Sequence, residues 1–217
     1  MKVLLINSVC GIGSTGRICG ESAQRMEKEG HEVKIAFGRK NVPEELQKYA
    51  VRIGSNFDCI IHVAVTRLFD KHGFGSRYAT KKFLKWVERY NPDLIWLHNL
   101  HGYYINVEEL FGWIKRHPNL KVKWTLHDCW AFTGHCTHFS AVGCEQWKQE
   151  CRNCSQIKRY PTCIGYSNVS ENYRRKQNAF CDVNNMVLIT PSSWLAELAS
   201  CSFLKNYPIE VRHNSID

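Results

Sequence analysis

No apolar run in this sequence is long enough to cross a bilayer. The opening run Val3-Leu4-Leu5-Ile6 stops at Asn7, where a membrane span needs about 20 apolar residues in a row. It is also too short for the core of a secretory leader and reads as a buried strand. The expected location is therefore the cytoplasm. Internal repeats, low-complexity segments and flexible linkers are lacking too, so nothing divides the chain into separate units. An arginine-rich run or a recognised nucleic-acid motif is equally missing, which counts against nucleic acid as the partner.

The 217 residues suit one large domain with a real core, and 44% apolar with 23% charged residues is the balance of a soluble globular protein. Eleven cysteines are an odd number. In a reducing compartment, clustered cysteines read as metal ligands or inert thiols before disulfides. A net charge of +9 points to an anionic partner such as a nucleotide, a phosphate or an anionic lipid surface.

Lys2 to Ile6 is continuously apolar after its first residue, as in a parallel sheet. A glycine-rich turn, Cys10 to Arg17, leads to a helix over about 17–29, and 31–37 supplies the next strand, which completes a βαβ unit. Gly11, Gly13 and Gly16 can let backbone N–H groups approach a phosphate at a helix start. A bare tight turn fits them equally. Phe37-Gly38-Arg39 stands where a ribose-binding carboxylate would close a dinucleotide motif, which argues against NAD.

Ile60, Ile61, Val63, Ala64, Leu68 and Phe69 predict one apolar helix. Tyr78 to Tyr90 predicts another, with Phe83, Leu84 and Val87 inward and Arg77, Lys81, Lys85 and Arg89 along one edge. That basic edge reads first as a solvated face and second as a contact with an anionic membrane surface. Leu94 to Leu97 is a strand ending in His98-Asn99-Leu100-His101. Asn106 with Glu109 starts a helix through Arg116. Lys121 to Leu126 is the next strand and delivers His127 and Asp128. Two parallel strands thus bring His98, His101 and His127 to one sheet edge, where α/β folds bind ligands. A helix over 168–180, a strand over 186–190, a short helix over 194–199 and a strand over 208–212 complete an α/β, mainly parallel, doubly wound Rossmann-like fold with helices on both faces.

A loop over about 129–165 interrupts that alternation and lacks a regular period. Structureless loops of this length are functional or held by something extra. Cys136, Cys144, Cys151 and Cys154 fall within it, the last two as C-x-x-C. Four thiols suit tetrahedral zinc, with His135, His138 and Cys163 as substitutes, and a closed site of this kind is structural. Buried free thiols are the alternative. Cys10, Cys19, Cys59, Cys129, Cys181 and Cys201 are scattered and read mostly as core filler. His127 suits a polar contact to a sugar or a general base.

Together MKVLLIN, GIGSTGR, PDLIWLHNLHG, KWTLHDCWAFTG, TPSSWLAE and the closing HNSID resemble the N-terminal half of the family 4 glycosyltransferases, retaining enzymes of the GT-B architecture. The cysteine loop resembles a branch used in bacterial capsule, O-antigen and exopolysaccharide assembly. This resemblance implies two Rossmann-like domains, the first binding a glycan or lipid-linked acceptor and the second a nucleotide-sugar donor. It places Gly13, Gly16 and Arg17 near the donor diphosphate or the acceptor, His127 beside the transferred sugar, and His101 and Asp128 in the acceptor pocket. It implies no divalent cation in catalysis, so any zinc is structural. The donor domain would follow HNSID, whose Ser215 replaces the family's usual glycine. The expectation is an acceptor domain over 1–217, inactive without its donor-binding half. Competing readings are a basic, zinc-stabilised nucleic-acid-binding module and a nicotinamide or flavin oxidoreductase resting on the βαβ start alone.

Overall fold

The computed structural model describes residues 1–214 of the chain, so Ser215 and the rest of the closing motif lie outside the described residues. Seven strands form one sheet: β1 (Lys2–Ile6), β2 (Glu32–Phe37), β3 (Ala50–Arg52), β4 (Leu94–Leu97), β5 (Lys121–Thr125), β6 (Met186–Thr190) and β7 (Ile209–Val211). Their order is β3-β2-β1-β4-β5-β6-β7, and each neighbouring pair is parallel. The chain winds outward from β1 in one direction and from β4 in the other, so the crevice between these two strands is the switch point of the sheet. Ile6, Leu97 and Trp124 are in register. Asn7, His98 and the segment carrying His127 therefore leave the sheet at one level.

The helices are α1 (Gly13–Lys28), α2 (Asn56–Phe69), α3 (Arg77–Tyr90), α4 (Val107–Lys115), α5 (Val169–Phe180) and α6 (Ser193–Ser200). Successive strand side chains point to opposite faces, which divides the core in two. Leu4, Ile6, Ile95, Leu97, Val122 and Trp124 pack with Phe83 and Leu84 of α3, Leu110 and Phe111 of α4 and Phe180 of α5. Val3, Leu5, Val33, Ile35 and Trp96 pack with Cys19 and Ala23 of α1. The doubly wound parallel sheet expected from the sequence is the fold.

Several elements differ from expectation. Strand β3 was not foreseen, because Ala50-Val51-Arg52 is three residues long with an exposed arginine. Helix α1 starts at Gly13, not near Arg17, and its N-cap residue Ile12 offers no side-chain cap. Helix α3 buries the predicted face. Two cations of its basic edge, Arg77 and Lys81, turn to Glu109 of α4, and Lys85 and Arg89 stay exposed. The cysteine loop contains no helix or strand beyond the short 3-10 turns Trp130–Phe132, Ser140–Val142 and Gln146–Lys148. No described helix is long and apolar enough to cross a membrane.

Helix α2 forms where expected, but its apolar residues do not pack into the core. Ile60, Ile61, Leu68 and Phe69 face solvent, and the side chains the helix buries are His62 and Thr66. A capping box between Ser55 and Asp58 starts it, and polar contacts hold it to the domain. The amides of Gly73 and Gly75 both donate to His62 Nε2 at 3.2 Å, which leaves Nδ1–H to donate to Ser76 Oγ at 2.9 Å.

Candidate functional site

Asn7 ties the two sides of the switch point together. Its amide nitrogen donates to Val9 O and Thr15 Oγ1, and its Oδ1 accepts from the Asn99 amide at 3.1 Å. Trp124 donates its indole N–H to His98 O, which fixes the end of β4. His98 then lies between Trp96 and His127, stacked on both, and its Nδ1 meets His127 Nε2 at 3.2 Å. Burial pushes the His98 imidazole well below its ordinary pKa. Burial likewise lowers His127 to about 4, against a smaller opposing pull from Asp128. The pair is neutral near pH 7, so it can offer hydrogen bonds but no positive charge.

Next to this pair, His101 Nε2 meets Asp128 Oδ2 at 2.7 Å and His101 Nδ1 meets Tyr160 Oη at 3.1 Å. A carboxylate only accepts, so Nε2–H donates to Asp128 and Nδ1 is left for the Tyr160 hydroxyl. Burial alone would raise the Asp128 carboxyl; His101 and the Trp130 amide outweigh it and bring it below its usual range. The result is a hydrogen-bonded line from Tyr160 through His101 to Asp128 that can orient a polar ligand. Beneath it, Lys176 is buried with Nζ 3.6 Å above the Trp130 ring, donating to Trp130 O and Thr133 O. Desolvation lowers that ammonium to about 7.

At the β1–α1 turn, Gly13 is exposed at φ +66° with nothing near the place of a Cβ, so a ligand could approach its backbone. Gly16 is buried differently: a Cβ there would lie 3.0 Å from Val9 Cγ2 and 3.2 Å from Gly11 N. Its role is close packing of the turn. Arg17 is exposed. Across the turn, Arg39 lies over the Tyr103 ring at 5.5 Å, a cation where a dinucleotide fold would place an acid.

Arg39 Nε, His72 Nδ1, His98 Nε2, Asn99 Oδ1 and Trp130 Nε1 are all buried without a hydrogen-bond partner in the chain. Native proteins rarely leave such groups unsatisfied, and a cluster of them marks a place where a ligand or water completes the bonding. His98, Asn99, His101, His127, Asp128 and Trp130 line one narrow pocket. A larger cavity, about 590 Å³, lies at the amino ends of the strands against Met1, Pro92, Asp93 and Leu120. Parallel sheets do not place their chemistry there, and none of the unpartnered groups just named lines it.

All eleven thiols are free, and Cys201 is exposed rather than part of the core. Cys136, Cys144, Cys151 and Cys154 line one small cavity with His135 and Trp147. Cys136 hydrogen-bonds to Cys154, which lowers the Cys154 thiol and raises the Cys136 thiol. Among the described residues, however, no group of three or more His, Cys, Asp or Glu side chains stands in a geometry that would hold a metal ion. His135 is engaged elsewhere, in a buried pair with Asp70.

The structure thus gathers His98, His101, His127 and Asp128, with Gly13 at the turn that leaves neighbouring β1, and gives Gly16 a packing role. Sequence reasoning missed Tyr160, His72 and Lys176 as neighbours of these residues, and used Arg39 only to argue against NAD. Tyr160 and Lys176 arrive from 59 and 46 residues away, a distance at which local pattern carries no signal.

No protein-family model matches the sequence. A protein named "Putative colanic acid biosynthesis glycosyl transferase WcaC" from Escherichia coli (strain K12) is 25% identical over 170 residues, 74% of this chain. The chain spans 41% of that relative's length. Among solved structures it resembles an alpha-glucosyltransferase with UDP and a 13-mer DNA containing a HMU base (TM-score 0.48, 10% identity, 100% of this chain and 43% of that one). An alpha-glucosyltransferase (AGT) with UDP gives a TM-score of 0.46 at 11% identity, over 100% of this chain and 45% of that one.

Proposed function

We propose that this chain is the acceptor-side half of a glycosyltransferase that moves a sugar from a nucleotide-sugar to a glycan or lipid-linked glycan acceptor in surface polysaccharide synthesis. The observation that carries the reading is the group of unpartnered buried polar atoms around the neutral His98–His127 pair at the switch point. Sugars present many hydroxyls that donate and accept at once, and such a cluster suits them better than it suits a charged ligand. The relative in colanic acid biosynthesis points to the same chemistry.

In this reading His127 contacts the transferred sugar as a neutral hydrogen-bonding group. Asp128 and His101, braced by Tyr160, orient the acceptor hydroxyl. The amino end of α1 at Gly13, with Arg17 and Arg39, faces the donor diphosphate, since unpaired helix N–H groups and guanidinium groups both favour anions. The donor's main binding surface belongs to a second half carried by a longer polypeptide, and this chain alone is inactive. The test is transfer from labelled nucleotide-sugars by that longer polypeptide. His127→Ala should lower turnover by about 10²-fold or more with an unchanged melting temperature. Near-normal turnover would remove His127 from the site.

Zinc in the cysteine loop is a separate proposal with a structural role. It requires Cys144 and Cys151 to close onto the Cys136–Cys154 pair around the cavity they already share. Elemental analysis of protein purified without added metal should find one zinc per chain, lost together with thermal stability in a Cys151→Ser, Cys154→Ser variant. Metal-free protein of unchanged stability would leave the four as packed thiols.

A further inference from the structure

Helix α2 is built inside out. Phe57, Ile60, Ile61 and Leu68 recur at helical spacing on its outer face, with Phe57 69% and Ile60 64% exposed. A strap from the cysteine loop widens this face. The amides of Ile164 and Gly165 donate to Arg67 O, and that of Tyr166 to Leu68 O, which leaves Ile164 72% and Tyr166 77% exposed beside the helix end. Gly165 permits the approach, because a Cβ there would lie 2.2 Å from Leu68 O. The strap also satisfies the next carbonyls: Asn168 donates to Phe69 O, and Asn172 to Asp70 O. The last-turn carbonyls of a helix are otherwise left to water. The chain thus spends a full set of backbone and side-chain hydrogen bonds to hold an apolar face toward solvent. Scattered exposed apolar residues need no explanation, but a contiguous, rigidly mounted patch does.

Cations outnumber acids in the segments that form this face. From Val51 to Val87 the acids are Asp58 and Asp70. Asp58 is held in the capping box with Ser55, and Asp70 is buried against His135. Arg52, Arg67 and Lys71 lie on or beside α2, and the loop that supplies the strap adds Lys158 and Arg159 with no acid after Glu150. A second copy of this chain would bring the same cations and be repelled. A convex helix about 21 Å long, aromatic and aliphatic on its crest and cationic at its flanks, matches the headgroup boundary of an anionic bilayer. We propose that α2 and the 164–166 strap form a docking surface for an anionic membrane. The membrane contact therefore belongs to α2 and not to the basic edge of α3, whose apolar face is already used in the core. This inference does not depend on the chain's being half of a transferase.

Vesicle flotation of the whole chain tests it. Wild type should float with phosphatidylcholine–phosphatidylglycerol vesicles and stay behind with phosphatidylcholine alone. Ile60→Glu with Ile164→Glu should weaken binding about tenfold or more, since two exposed aliphatic side chains of the docking face are exchanged for charge. Lys121→Glu, exposed at the start of β5, makes the same change in net charge at a distant place and should weaken it far less. All three proteins should melt alike, because the altered side chains face solvent. Wild type that ignores anionic vesicles, or a double variant that floats as well as wild type, would overturn the proposal. So would a wild-type dimer in sedimentation that the double variant splits, which would make a second copy the occupant.

Discussion

Helices α2 and α3 are both 14 residues long and lie one after the other in the chain, yet they answer the hydrophobic effect in opposite ways. Helix α3 buries Phe83, Leu84 and Val87 and turns its lysines outward. Helix α2 buries a histidine and a threonine and turns its isoleucines outward. The first is held by area removed from water, the second by directed hydrogen bonds from Gly73, Gly75 and the strap. A helix can therefore be anchored precisely enough to display an apolar surface, provided that polar groups do the holding and every one of them has a partner.

Three substitutions separate the two modes of attachment. The largest effect belongs to α3: Phe83→Ala should cost about 3–4 kcal/mol in urea unfolding, because it opens a cavity in the main core. A loss below about 1 kcal/mol would mean that this face is not held by packing. On α2 the sensitive position is the polar one. His62→Ala strands the Gly73 and Gly75 amides and the Ser76 hydroxyl, and should cost about 2–3 kcal/mol. It should also change the response to acid. Burial lowers the His62 pKa from 6.5 to about 3, so between those values the unfolded chain binds a proton that the folded chain refuses. Stability must then fall as pH drops through that window, and the His62→Ala variant should fall less steeply. An unchanged slope would show that His62 takes up its proton alike in the folded and unfolded states. The smallest effect should come from Ile60→Ala, within about 0.5 kcal/mol of wild type. A loss as large as that of Phe83→Ala would mean that something already covers the α2 face in solution.

The same contrast explains what could be read from sequence. Continuous apolar runs at β1, β4 and β6 made the parallel sheet legible, and the polar residues closing β4 and β5 made the gathering of His98, His101 and His127 at one edge legible. Periodicity also found α2 and α3, but it reports only that apolar residues share a face, not whether that face meets the core. The inward face expected of α3 is buried, whereas the apolar helix expected at α2 turns its face outward because a buried histidine with three partners outcompetes its apolar side chains for the domain. Strand β3, too short and polar to show a pattern, was missed for a related reason. Tyr160, His72 and Lys176 could not be placed because loops and distant helices bring them to the site. The cysteines were found as a cluster by count alone, and count does not give the mutual geometry a metal requires.

Tyr160, which donates to His101, and Ile164 to Tyr166, which bond the end of α2, belong to one short stretch of the same loop. The outer helix and the polar line at the switch point therefore share a mechanical element. Any free energy by which a partner on α2 settles that stretch is returned at the other end. If a bound surface tightens the grip on a sugar by some factor, a bound sugar must tighten the grip on the surface by the same factor. A dwell time on such a surface would then report how fully the site is loaded.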